Sequence, residues 1–213
     1  SQISRTWQKL YSAIYDANDF IETVSGRMDS WGSSDRELAT IYLGEARALR
    51  ALFYFELVRW YGNVVLMTST ADSRRKDETF EQTAAKDVYA YIEEDLKYAA
   101  EVLPWAVDDT KRTSNAYRFS KGAALGLLAK VYCTWAGYPV KDESKWAEAE
   151  KAARRVVESG KHRLISDYET VWKNTCNGIW DAGESLIEVS FYSPTGLDSD
   201  NTAGRIGKWN GVS

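Results

Sequence analysis

Apolar positions recur at intervals of three and four along the first segment: Ile3, Trp7, Leu10, Tyr11, Ile14, Tyr15, Phe20 and Ile21. That spacing predicts an amphipathic helix over 3–24, closed by Gly26 as a C-terminal glycine. Ser34-Asp35-Arg36-Glu37 has the form of a capping box. It predicts a second helix over 36–61, stopped by Gly62 and followed by an extended exit, Val64-Val65-Leu66. A third helix is expected over 84–103, ended by Pro104. Ser120 caps a fourth over 121–137, rich in Ala, Gly and Leu, and a fifth spans 145–159 before Gly160. Beyond residue 160 the helical period fades. Ser185-Leu186-Ile187-Glu188-Val189-Ser190-Phe191-Tyr192 has the look of a short strand, and the rest of 161–213 is expected to be loop.

A faint repeat runs through this pattern. Ala46, Leu49, Ala51 and Tyr54 align at one constant offset with Ala124, Leu127, Ala129 and Tyr132. Each stretch is followed by a loop and a second helix with an Ala-rich face, Ala99-Ala100 in one case and Ala149, Ala152 and Ala153 in the other. Helix pairs with small residues where they cross are the grammar of tetratricopeptide-type stacks of about 34 residues per repeat. The expected fold is mostly α, with tetratricopeptide-like helix pairs, a loop-rich face and minor β.

Composition narrows the function. The 213 residues are 44% hydrophobic and 27% charged, and 27 Lys+Arg against 31 Asp+Glu give a net charge of −4. That balance argues against a nucleic-acid or anionic-membrane binder. No run approaches the roughly 18 apolar residues of a membrane span. Two cysteines and one histidine exclude a disulfide framework and a His-pair metal site. The adjacent carboxylates Glu93-Glu94-Asp95, Asp108-Asp109 and Asp142-Glu143 point different ways on a helix or lie in solvated loops. A glycosidase needs two carboxylates facing one sugar, so no catalytic residue, metal or cofactor is assigned. The chain opens on Ser1-Gln2-Ile3 without Met and closes on a polar stretch, Lys208 to Ser213, so it reads as a fragment or a processed chain.

Aromatic content is the unusual figure: nine Trp, 13 Tyr and six Phe, 13% of the chain. Trp31 lies in a small polar loop with Arg27, Asp29 and Ser30. Sugars present C–H faces that stack on such a ring, and their hydroxyls need Asp, Asn or Arg beside it. The alternative is that Trp31 folds back onto the core. Trp180, with Asn174, Asn177 and Asp181 in a Gly-containing loop, is a second candidate of the same kind. Trp105 and Tyr117 are weaker ones. Trp105 follows a helix-ending Pro and could staple that turn, and Trp172 is spaced from Tyr168 like a core residue. His162 follows Gly160 and suits a cation near a helix end, and Cys133 reads as a small core residue. Arg47, Arg50 and Glu56 among so many apolar neighbours suggest a buried or half-buried ion network.

The segment Glu45-Ala46-Arg47-Ala48-Leu49-Arg50-Ala51-Leu52-Phe53-Tyr54-Phe55-Glu56-Leu57-Val58-Arg59-Trp60-Tyr61-Gly62 resembles the signature of the SusD/RagB family, with Val65 where Pro is usual. Further elements agree in order: Leu10-Tyr11 with Ala17-Asn18, Asp95-Leu96, Arg118-Phe119-Ser120-Lys121-Gly122, Ser159-Gly160-Lys161-His162 and Glu184-Ser185-Leu186-Ile187-Glu188. The resemblance covers nearly all of 1–213 and implies one SusD-like domain fragment, a helical scaffold over about 3–160 with a loop and short-strand region after it. It implies a non-catalytic, surface-exposed lipoprotein of the outer membrane. Such a protein would bind a glycan and pass it to a TonB-dependent, SusC-like transporter, anchored through a lipid upstream of Ser1. The readings beside it are a helical-repeat protein-interaction scaffold, a peptide-binding RagB-like protein and, third, an all-α glycoside hydrolase.

Overall fold

A computed structural model describes residues 2–73, 80–109, 112 and 118–188. Six helices carry the architecture: α1 Gln2–Ser25, α2 Ser33–Tyr61, α3 Ala85–Val102, α4 Lys121–Ala136, α5 Lys145–Glu158 and α6 Tyr168–Cys176. Thr70–Ser73 adds a single helical turn. Each of the first five packs on its chain neighbours, α1 on α2, α2 on α3, α3 on α4 and α4 on α5. This is a stack of tetratricopeptide-like helix pairs. The aligned stretches found in the sequence are α2 and α4, and the Ala-rich helix that follows each supplies buried Ala99 and Ala100 on α3 and Ala149 and Ala152 on α5.

Small residues let the helices approach. A Cβ on Gly44 of α2 would lie 2.6 Å from Val102 Cγ2 and 3.0 Å from Leu103 Cδ2. Between these contacts runs an apolar core of Ala48, Leu57, Ile92, Leu96, Leu125 and Val131, all fully buried. The stops lie where expected: Gly62 and Gly160 sit at φ +73° and +65°, the left-handed region that glycine enters without strain.

A buried polar bolt fixes the first three helices. Arg50 donates through Nε and Nη2 to the two oxygens of Asp95, both at 2.8 Å, and through Nη1 to Asn18 Oδ1 at 2.7 Å. Asn18 Nδ2 donates in turn to the Met67 carbonyl at 3.0 Å, which also accepts from Tyr54 Oη at 2.8 Å. The signature helix is thereby a structural device that ties α1, α2, α3 and the exit from α2 together. Arg47 sits at the margin of this network, 3.9 Å from Asp95. Glu56 is outside it, because it pairs with Arg59 one turn along the same exposed face.

Several expectations are corrected. The capping box is not formed. Helix α2 starts at Ser33 with Gly32 as N-cap and no side-chain cap bond, so Ser34 already lies inside the first turn. Ser120 does cap α4, accepting from Ala123 N at 3.2 Å. Helix α6 arises within the stretch expected to be loop. Asp167 caps it by accepting from the Glu169 and Thr170 amides at 3.2 and 3.1 Å, and none of its residues is buried. Its apolar residues Tyr168, Val171 and Trp172 are spaced as on one helix face, but that face packs on no core. Trp172, expected in the core, is accordingly 65% exposed. Cys133 is exposed as well, because α4 buries Val131, Tyr132 and Trp135 and turns residue 133 outward. Residues 185–188 form no strand; Leu186 and Ile187 pack against the core instead. Residues 189–192 and Tyr117 lie outside the described residues. Among the described residues the only β pairing is the isolated bridge of Val64 with Thr83.

Candidate functional site

A groove runs along the seam between α1 and α2. Its two contiguous hollows, about 390 and 580 Å³, share Phe20 of α1 and Tyr42 of α2. Trp31 closes one end and Phe53 lies at the other. Phe20, Leu38 and Leu49, apolar residues of amphipathic helices, are 40%, 39% and 38% exposed because they line this groove rather than the core.

Trp31 is placed by a short 3-10 turn, Met28–Ser30, after which its own amide donates to the Met28 carbonyl at 3.1 Å. The ring is half-buried. It packs on a satellite cluster of Ile21, Val24, Ala39, Leu43 and Ala46 and also lines the groove. The ring thus returns to the protein and still presents surface. Arg27 and Asp29 are exposed on the same turn but do not line the groove. The Ser30 hydroxyl is spent on the Arg27 carbonyl at 2.7 Å.

The wall behind Tyr42 is charged and ordered. Arg118 donates to both oxygens of Glu45 at 3.0 and 2.8 Å and lies over the Tyr42 ring, 5.4 Å from its centroid. That hydrogen bond holds the Arg118 guanidinium above its ordinary value. Buried Arg112 also donates to Glu45. Asp16 and Asp35 line the groove as well.

Trp180 belongs to a separate groove of about 570 Å³, formed by Val107, the turn after α5 and the chain after α6. Its indole N–H is buried with no partner among the described residues. The same holds for both ring nitrogens of His162. The histidine does not serve the end of α5. It lies over the first turn of α4, where a Cβ on Gly122 would come 2.4 Å from its Nε2, and edge-on to Trp105 at 5.7 Å. Asn174 and Asp181 line this groove, whereas Asn177 caps α6, its amide donating to the Lys173 carbonyl at 2.8 Å. The structure thus groups Trp180 with Asn174 and Asp181, leaves Asn177 out of that groove, and keeps Arg27 and Asp29 off the groove that Trp31 lines. No group of three or more His, Cys, Asp or Glu side chains among the described residues could hold a metal ion.

Sequence reasoning missed Phe20, Tyr42, Asp16 and Asp35. The signal was that α2 is apolar on more than one face, which requires a second surface beyond the core.

A stack of helix pairs with an aromatic-floored groove at its first seam defines the class: a helical-repeat module. Residues 1–133 match the SusD-like family described as "Starch-binding associating with outer membrane". The chain belongs to that family. It is 30% identical over 193 residues to a SusD-like protein of Bacteroides ovatus, covering 89% of this chain and 33% of that one. A crystal structure of a SusD homologue from Bacteroides thetaiotaomicron superposes with a TM-score of 0.92 at 62% identity, over 100% of this chain and 40% of the other. A laminarin-binding SusD-like protein superposes with a TM-score of 0.67 at 28% identity, over 86% and 37%. The chain therefore spans between a third and two fifths of the length of these relatives. No helix among the described residues is long and apolar enough to cross a membrane.

Proposed function

We propose that this chain is the helical part of a glycan-capture protein, which binds an oligo- or polysaccharide without cleaving it. The groove between Trp31 and Phe53 is the binding surface, with Trp31, Phe20 and Tyr42 offering rings to sugar faces and Asp16 and Asp35 accepting from hydroxyls. Arg27 and Asp29, exposed on the turn before Trp31, are offered as further polar partners, and the groove of Trp180, Asn174 and Asp181, with Asn177 beside it in sequence, is the second candidate. The observation that carries the reading is the aromatic groove in a member of this family, one of whose structural neighbours is a laminarin-binding protein. By the same reading the whole protein is a surface lipoprotein of the outer membrane and hands its ligand to a TonB-dependent, SusC-like transporter.

The aliphatic part of the floor, Leu38 and Leu49, favours a second reading: a scaffold that docks a peptide or protein segment. Native electrophoresis of the purified protein through gels containing a polysaccharide panel tests the first. Retardation by one polysaccharide is expected, with no release of reducing ends. Mobility unchanged across the panel would overturn it. Recovery of the transporter with the protein from outer membranes tests the partner.

A further inference from the structure

The groove carries charge of one sign. Among the described residues its lining holds Asp16, Asp35 and Glu45 and no Lys or Arg. Glu45 is neutralised by Arg118 and Arg112. Asp16 and Asp35 are exposed, and neither has an ion-pair partner among the described residues. Lys9, Arg27 and Arg36, the basic residues flanking Asp16 and Asp35 in sequence, do not line the groove.

We infer that this site selects neutral glycans and rejects those carrying carboxylate or sulfate groups; the inference rests on the glycan-binding reading above. The two free carboxylates can each accept from a pair of neighbouring hydroxyls, which suits an uncharged polyol lying on Phe20, Trp31 and Tyr42. The same carboxylates repel a uronate or sulfate brought within hydrogen-bonding range. At a protein surface that repulsion is worth about tenfold in affinity or more. No cation among the described lining residues offsets it.

The test is isothermal titration of the purified protein with panels of neutral and uronate oligosaccharides matched in length, at low and high salt. A neutral sugar should bind with an affinity that salt leaves unchanged. The matched uronate should bind at least about tenfold more weakly, and the gap should narrow at high salt and in the Asp16→Asn/Asp35→Asn double variant. A uronate that binds as tightly as its neutral match, or a ratio that the double variant leaves unchanged, overturns the inference while leaving glycan binding in place. Binding of no sugar in either panel overturns the function itself and this inference with it. Should a lysine-rich amphipathic peptide bind instead, the groove is a protein-docking surface and both are overturned.

Discussion

Gly44→Ala sets two effects against each other at the crossing of α2 and α3. In the interior of a helix, alanine is ordinarily better than glycine by about 0.5–1 kcal/mol. Here the added methyl would sit 2.6 Å from Val102 Cγ2 and 3.0–3.1 Å from Leu103 Cδ2 and Cγ. Carbon atoms sit comfortably at about 3.5–4.0 Å, so the neighbours must move by close to an ångström. Leu103 is 1% exposed and has no space to enter. Val102 is β-branched and stiff at χ1. Overpacking of this kind costs about 1–3 kcal/mol, so the clash wins and a net loss of about 1–2 kcal/mol is expected. Urea unfolding followed by circular dichroism measures it. In a Val102→Ala background the nearest contact is gone, and the same glycine substitution should become close to neutral. A Gly44→Ala protein as stable as the parent, or a penalty unchanged by Val102→Ala, would refute the close approach of the two helices.

Other expectations follow from the same structure. Asp95→Ala leaves Arg50 buried and unpaired and should cost about 3–5 kcal/mol, read from the unfolding midpoint. Glu93 accepts from Lys97 at 2.5 Å, Tyr132 at 2.8 Å and Lys145 at 3.0 Å. Burial raises its carboxyl, but these hydrogen bonds outweigh burial and hold it below its ordinary value. Its stabilisation is thus present above the ordinary glutamate range near pH 4.5 and is lost as pH falls through the lowered value. Glu93→Gln should flatten the acid limb of a stability–pH curve and leave less stability at pH 7. Asp167→Ala removes the cap of α6 and should speed amide hydrogen exchange there while leaving α2 unchanged.

The helical stack was legible because its helices bury a stripe, and burial writes a period into the sequence. The apolar residues of α1 and α3, the Ser120 cap, and the Gly62 and Gly160 stops all belong to that class. Helix α6 buries nothing and was read as loop, although Asp167 with Thr170 is an ordinary cap signal. The alternation from Ser185 to Tyr192 suggested a strand. In residues 185–188 it serves a different end: Leu186 reaches α4, where a Cβ on Gly126 would lie 2.5 Å from its Cδ1. Trp31 was found because a tryptophan in a small polar turn has no helix to explain it. Phe20, Leu38 and Leu49 were hidden by resembling core residues. Whether an apolar residue of an amphipathic helix faces the core or a groove is decided by which neighbour the seam leaves open, and periodicity alone does not carry that information.

Glycan binding in the α1–α2 groove is tested most directly at the Trp31 ring. Binding isotherms for a retained oligosaccharide should be compared between the parent and Trp31→Ala, with melting curves on both. The groove reading predicts a loss of about 1–3 kcal/mol in binding, by analogy with the stacking of nucleobases on aromatic platforms. Stability should fall by less than the roughly 3–5 kcal/mol of a fully buried tryptophan, because the ring is only half-buried. An affinity unchanged by the substitution, with the fold intact, would contradict the claim that sugars lie on this surface.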